Sequence, residues 1–157
     1  MNDRLVVGIS DMKISCSPDG QLVTHSLGSC LGLAAYDPKA MVGGLIHCLL
    51  PKATRAEVPN PYMYVNVGVP AMIRQLVALG ACKAHLIFKA AGCGRMIRIQ
   101  NQFDTVAQNL AMLEALFAKN HVVVSASDVG GSIPRTVALH METGAFVIRS
   151  HGKEWQI

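Results

Sequence analysis

The segment Thr24-His25-Ser26-Leu27-Gly28-Ser29-Cys30-Leu31-Gly32 sets one cysteine among small residues, with a glycine on either side. Such a stretch lets the backbone turn sharply, exposes the sulfur and brings the amide N–H groups around Ser29 and Cys30 close to a developing oxyanion, as the glycines of a nucleophile elbow do. His47 then interrupts an otherwise apolar strand, Gly43-Gly44-Leu45-Ile46-His47-Cys48-Leu49-Leu50. That strand can pair with the one following Cys30 through the Asp37-Pro38 turn. If the two side chains share a face, the imidazole takes the thiol proton, lowers the cysteine pKa and creates a thiolate able to attack a carbonyl carbon. On that reading Cys30 is the first cysteine an alkylating reagent finds. Two plainer readings stand beside it: a buried structural cysteine in a Gly-rich turn, and a core histidine bonded to backbone. His25, His85, His121, His140 and His151 have no comparable context and read as surface or packing residues.

The elements that must position these residues follow from the apolar pattern. Short strand-like runs at Arg4 to Ile9, Gln21 to His25, Leu31 to Tyr36 and Val42 to Leu50 are separated by turn residues, which predicts local antiparallel pairing. Pro51 to Pro61 carries three prolines and reads as an exposed loop. From Val67 the period changes: Val69, Met72, Ile73, Leu76 and Val77 form one helical stripe, with Asn66 as N-cap and Gly80 as stop. His85 to Ala91 reads as a buried strand. Phe103, Val106, Ala107, Leu110, Leu113 and Phe117 mark a second helix from about Asp104 to Lys119. Val122 to Ala126 is a further strand, and Arg135 to Met141 pairs with Ala145 to Ser150 around Glu142-Thr143-Gly144. Two helices and many strands without strict βαβ alternation predict an α+β fold with mixed, largely antiparallel sheets in layers.

Composition narrows the function classes. The chain has 157 residues, the size of one domain, and no repeat or linker divides 1–157. Hydrophobic residues make up 51% and charged residues 15%, against a usual figure of about 25% charged, which excludes a disordered chain. The longest apolar stretch, Met41 to Leu50, falls well short of the ~18 residues a membrane span needs. No export leader is read at the N-terminus. Lys and Arg exceed Asp and Glu by 14 to 10, but the basic residues are scattered, so no nucleic-acid footprint is expected. The five cysteines are irregularly spaced with no C-x-x-C pair, which predicts free thiols in a reducing cytoplasm and no structural metal.

Taken together, Thr24 six residues before the cysteine, Leu27-Gly28-Ser29-Cys30, Asp37-Pro38, and Gly44-Leu45-Ile46-His47 followed by Leu50-Pro51 resemble the CheD family of chemoreceptor glutamine deamidases. Further agreement runs through Tyr64-Val65, Gly80-Ala81, Phe88, Asp128-Val129-Gly130-Gly131 with Arg135, and Glu142-Thr143-Gly144, so the resemblance spans nearly the whole chain. It implies a layered fold similar to the catalytic domain of cytotoxic necrotizing factor toxins, and a Cys30, His47 and Thr24 triad in which Thr24 orients the histidine. Backbone support would come from Gly28, Ser29 and Cys30, with Ser26, Leu27 and Phe88 as substrate-cleft candidates. The substrate it implies is a glutamine on the cytoplasmic helical domain of a chemoreceptor, with no metal or organic cofactor and no membrane insertion; a CheC-type phosphatase is the implied partner. The chain departs from the family pattern at Lys89-Ala90-Ala91-Gly92, around Ile99 to Gln102, at Pro134 and at Asn66. Two rival functions remain: a weakly catalytic adaptor that stimulates a CheC-type phosphatase, and a cysteine hydrolase acting on a small amide.

Overall fold

The computed structural model describes residues 3–95 and 105–157. Its strands and helices run, in chain order, β1 (Arg4–Val7), β2 (Asp11–Ser15), β3 (Gln21–Leu27), β4 (Leu31–Asp37), β5 (Val42–Cys48), α1 (Val65–Ala78), β6 (Ile87–Gly92), α2 (Thr105–Lys119), β7 (Val124–Val129), β8 (Arg135–His140), β9 (Phe146–Ser150) and β10 (Lys153–Gln156). The strands form two five-stranded sheets, ordered β1-β3-β8-β9-β10 and β2-β5-β4-β6-β7. Each is mixed. β1 lies parallel to β3 and β6 parallel to β7, while the other pairs are antiparallel. The α+β expectation holds.

The layers follow from β4 and β5, which are buried along their whole length and so need cover on both faces. Leu31, Leu33, Ile46 and Cys48 pack against Val65, Val69, Met72 and Leu76 of α1 and Leu113 and Phe117 of α2. Ala34, Tyr36 and Leu45 point the other way, into a second core with Leu22, Leu27, Val137, Leu139 and Ile148 of the other sheet. Because side chains alternate along a strand, His47, between Ile46 and Cys48, must face that inter-sheet core. The β4–β5 hairpin is closed by Asp37, whose Oδ1 accepts from the amides of Lys39 at 2.9 Å and Ala40 at 3.0 Å, and whose Oδ2 accepts from Cys82 at 2.8 Å. Burial pushes the Asp37 carboxyl up, yet the amides of Cys82, Ala40 and Lys39 hold it below the usual carboxylate range.

Several expected boundaries shift for identifiable reasons. α1 begins at Val65, with Tyr64 rather than Asn66 at its N-cap. The Asn66 side chain instead accepts from the Ala53 amide at 3.0 Å and pins the proline-rich loop. The helix does stop at Gly80 as expected: the Ala81 amide donates to the Leu76 carbonyl and the Gly80 amide to Val77, each at 3.0 Å, with Gly80 at φ +107°. Pairing between successive strands holds for β4 with β5, but β3 and β4 lie in different sheets, so residues 28–30 cross from one sheet to the other. Strands β2 and β10 are too short and too polar to show in the apolar pattern. Phe103, Asp104 and the family departure at Ile99 to Gln102 lie outside the described residues.

Gly92 and Gly80 form a matched pair for testing what the crossing loop needs. Both have φ near +100°, but a Cβ on Gly92 would stand 2.3 Å from the Cys30 carbonyl oxygen, whereas one on Gly80 meets nothing within 4 Å. Gly80→Ala is expected to cost about 1 kcal/mol for its left-handed backbone alone. Gly92→Ala is expected to cost upwards of about 2 kcal/mol, because the Cys30 backbone must move as well. Urea unfolding of the two variants measures the difference, and equal losses would show that the approach of Gly92 to Cys30 constrains nothing.

Candidate active site

Thr24 on β3 and His47 on β5 meet between the sheets, at 0% and 1% exposure. The Thr24 hydroxyl lies 2.7 Å from the Val7 carbonyl oxygen and 2.7 Å from His47 Nδ1. A hydroxyl has one proton and a carbonyl can only accept, so that proton goes to Val7 and Nδ1–H donates to the threonine oxygen. The imidazole is thereby fixed as the Nδ1–H tautomer, and its Nε2 carries the lone pair. That Nε2 is buried and has no hydrogen-bond partner. Burial lowers the His47 pKa to about 4, so the ring is neutral at physiological pH.

Cys30 reaches the same space from β4. Gly32 stands directly opposite His47 in the β4–β5 ladder, and Cys30, two residues earlier, lies in the same inter-sheet core as Leu45. Nucleophile and base candidates therefore share a face. The expected activation of the thiol is not found: burial raises the Cys30 pKa, partly offset by a hydrogen bond from the Ser29 side chain. His47 Nε2 makes no hydrogen bond to the sulfur. The resting pair is a thiol and a neutral imidazole, because an ion pair here would need two desolvated charges.

The Cys30 loop is held from several sides. The Cys93 amide donates to the Cys30 carbonyl and the Gly94 amide to the Gly28 carbonyl, each at 2.8 Å. Arg135, only 4% exposed, anchors that neighbouring segment: Nη1 donates to the Gly92 carbonyl at 3.3 Å, Nη2 to the Gly130 carbonyl at 2.9 Å, and Nε to Asp128 Oδ1 at 3.0 Å. Trp155 donates to the other Asp128 oxygen. The Asp128, Gly130 and Arg135 pattern noted in the sequence thus supports the loop from behind. Sequence reasoning missed Asn109 of α2, a fully buried amide that donates to the Ser29 carbonyl at 3.4 Å and the Leu49 carbonyl at 3.2 Å. Its only signal was a polar residue within an apolar helical stripe.

The substrate-cleft candidates separate. Ser26 is exposed on the β3 bulge at φ +55° and borders a polar recess of about 420 Å³ with Arg135, Thr136 and Lys153. Leu27 is fully buried, its Cδ1 2.6 Å from where a Cβ on Gly32 would sit. Phe88 lies on the helix side of its sheet, edge-on to Phe117 with ring centroids 4.9 Å apart, and is not brought to the Cys30 loop. Among the described residues no group of three or more His, Cys, Asp or Glu side chains could hold a metal ion. No helix among them is long and apolar enough to cross a membrane.

Cys30 and a neutral, tautomerically fixed His47 face the same core between the two mixed sheets of an α+β protein. The model of the CheD family, described as CheD chemotactic sensory transduction, matches residues 49–150. The chain belongs to the CheD family. It is 34% identical over 158 residues to a protein of Solibacter usitatus named "Probable chemoreceptor glutamine deamidase CheD", covering 99% of this chain and 94% of that one. A protein of the same name from Symbiobacterium thermophilum is 38% identical over 160 residues, covering 98% and 97%. A third, from Syntrophus aciditrophicus, is named "Probable chemoreceptor glutamine deamidase CheD 1" and is 36% identical over 152 residues, covering 94% of each.

Two measurements check the electrostatics. Cys16 and Cys82 are exposed while Cys30, Cys48 and Cys93 are buried, and burial pushes the Cys93 thiol up to about 12 and Cys48 higher still. Iodoacetamide near neutral pH is therefore expected to label Cys16 and Cys82 first, Cys30 more slowly and Cys48 and Cys93 not at all, the reverse of the order expected from an activated Cys30. Peptide mapping that finds Cys30 labelled first would restore the thiolate. His47 binds a proton less readily folded than unfolded, so its contribution is intact above pH 6.5 and lost as the pH falls toward 4. At about 1.4 kcal/mol per unit this amounts to roughly 3 kcal/mol. His47→Gln should remove that part of the acid sensitivity, seen as a flatter dependence of unfolding free energy on pH between 7 and 4.

Proposed function

We propose that this protein is a protein-glutamine deamidase of bacterial chemotaxis, a cytoplasmic hydrolase that converts glutamines on the helical cytoplasmic region of chemoreceptors to glutamate. The observation that carries the reading is the Val7–Thr24–His47 chain, which leaves a basic Nε2 without a partner in the space Cys30 shares. Family membership and the names of the relatives supply the substrate class. In this reading the whole chain is one domain, with the layered fold of cytotoxic necrotizing factor-like cysteine hydrolases, and a CheC-type phosphatase is a binding partner.

The chemistry follows from the two shifted pKa values. With Cys30 raised and His47 lowered, the thiol keeps its proton until the sulfur attacks the glutamine Cδ, and Nε2 takes that proton as the S–C bond forms. The carbonyl oxygen becomes an oxyanion beside the backbone amides around Ser29 and Cys30. His47 then protonates the departing amine, which leaves as ammonia, and a thioester remains. Water attacks the thioester while Nε2 accepts its proton; that proton returns to the sulfur and the product is glutamate. Thr24 contributes orientation, since a hydroxyl already committed to Val7 can accept from Nδ1–H but adds no negative charge. At 8% exposure Cys30 presents little surface to solvent, which favours a slender, unbranched side chain such as that of glutamine.

Cys30→Ala and His47→Ala are each expected to abolish deamidation of a receptor cytoplasmic fragment, and the double variant to be no worse, because the two act as one unit. Thr24→Val keeps the shape but removes the acceptor for Nδ1–H, and should lower kcat by roughly 10- to 100-fold with KM little changed. Peptide mass spectrometry follows the reaction, each conversion adding about one dalton. Near wild-type deamidation by Cys30→Ala would end the proposal.

A further inference from the structure

The β4–β5 ladder ends at the pair Leu31 and Cys48, so the next residues on each strand, Cys30 and Leu49, lie just past its last rung. There the Ser29 and Leu49 carbonyls share one donor, the side chain of Asn109. Two carbonyls cannot hydrogen-bond each other, and their aligned dipoles repel; a donor with two hydrogens joins them. Asn109 occupies a helical stripe whose neighbours Val106, Leu110, Leu113 and Phe117 are apolar and packed into the helix-side core. It is fully buried, and its Oδ1 has no partner. An unsatisfied acceptor weakens the fold, so an apolar residue of similar size would serve packing better.

We propose that Asn109 is a positioning residue: its amide replaces the missing rung, tying the peptide next to the nucleophile to the strand that carries the base, and so sets the approach of Cys30 to His47. Ser29 precedes Cys30 directly, and Leu49 follows His47 by two residues on the same strand direction. Without the clamp the two carbonyls separate and the Cys30 loop swings away from the inter-sheet core. Among the described buried residues of α2, Asn109 is the polar one, beside Leu113 and Phe117.

This inference rests on the deamidase reading for its consequence in activity, but the position of Cys30 can be read without a substrate. The variants are Asn109→Leu, which fills the stripe with a good helix former, and Asn109→Ala, which cannot overpack. Both are assayed for deamidation of a receptor cytoplasmic fragment and for iodoacetamide labelling of each cysteine. The expected result is a kcat at least tenfold lower with KM within about twofold, and Cys30 labelling at least fivefold faster. Cys48 and Cys93 should stay unlabelled, which distinguishes a released loop from general opening of the core. Unchanged Cys30 labelling in both variants, or labelling of all three buried cysteines together, overturns the proposal. If the wild-type protein deamidates nothing while Cys30 labelling still responds to Asn109, the deamidase reading falls and the clamp stands.

Discussion

A histidine buried between two sheets needs partners for its polar atoms, and the bond between Thr24 and Nδ1 of His47 supplies one while joining the sheets and leaves Nε2 without any. Thr24 belongs to one sheet and His47 to the other, and the threonine passes the connection on to Val7 of β1. The hydroxyl has one proton, and its commitment to Val7 decides the direction of the second bond, hence the tautomer, hence which nitrogen is free. Everything chemical in the site depends on that direction. Were Val7 not accepting, the hydroxyl could donate to Nδ1 and the proton would sit on Nε2, where it could not act as a base. The Thr24 hydroxyl, with its proton committed to the Val7 carbonyl, thus stands at Nδ1 where a carboxylate stands in the Ser-His-Asp arrangement.

The same burial explains why the site rests uncharged. Desolvation raises a thiol and lowers an imidazole, so both shifts oppose transfer of the proton before substrate arrives. A preformed thiolate would be a stronger nucleophile but would also react with any electrophile that reached it. In the proposed mechanism, proton transfer is coupled to attack, and reactivity is confined to a carbonyl carbon placed between sulfur and base. The cost falls on positioning, because a neutral thiol and a neutral ring attract each other only weakly. The bracing around residues 28–30 comes from the amides of Cys93 and Gly94 just past β6, the Arg135 guanidinium behind them, and the Asn109 amide from α2.

How much of this was legible in the sequence depends on the range of the interaction. The Gly-Ser-Cys loop, the histidine in an apolar strand and the Asp37-Pro38 turn are local patterns, and the shared face of Cys30 and His47 follows from strand alternation once the hairpin is accepted. The Gly80 stop and the closing hairpin were legible for the same reason. Thr24 was not readable from its residue type, since a threonine in a strand is ordinary; only resemblance pointed to it. The sign of the Cys30 shift was misread because proximity to histidine was weighed without the burial of both groups. Phe88 was placed by its position in a pattern, whereas the side of the sheet it occupies is set by its contact with Phe117. Asn109 was invisible because a single polar residue in a helical stripe has many meanings until the carbonyls it faces are known.

The chain order of the site explains why its supports lie so far from it. Thr24, Cys30 and His47 fall within one short stretch, and a stretch that short cannot fix its own loop at three positions and still turn between sheets. β6 pairs with β4 on the edge opposite β5, and the amides of Cys93 and Gly94 that follow it donate to the Cys30 and Gly28 carbonyls. β8 then supplies Arg135 to hold Gly92, and β10 supplies Trp155 to hold the Asp128 that pairs with Arg135. The supports thus run from β6 to β8, from β8 back to β7, and from β7 to β10. The family model matches residues 49–150, a range that holds Gly92, Asn109, Asp128 and Arg135, while Thr24, Cys30 and His47 all precede it; the segment that braces the 28–30 loop is therefore separate in the chain from the three side chains of the proposed triad.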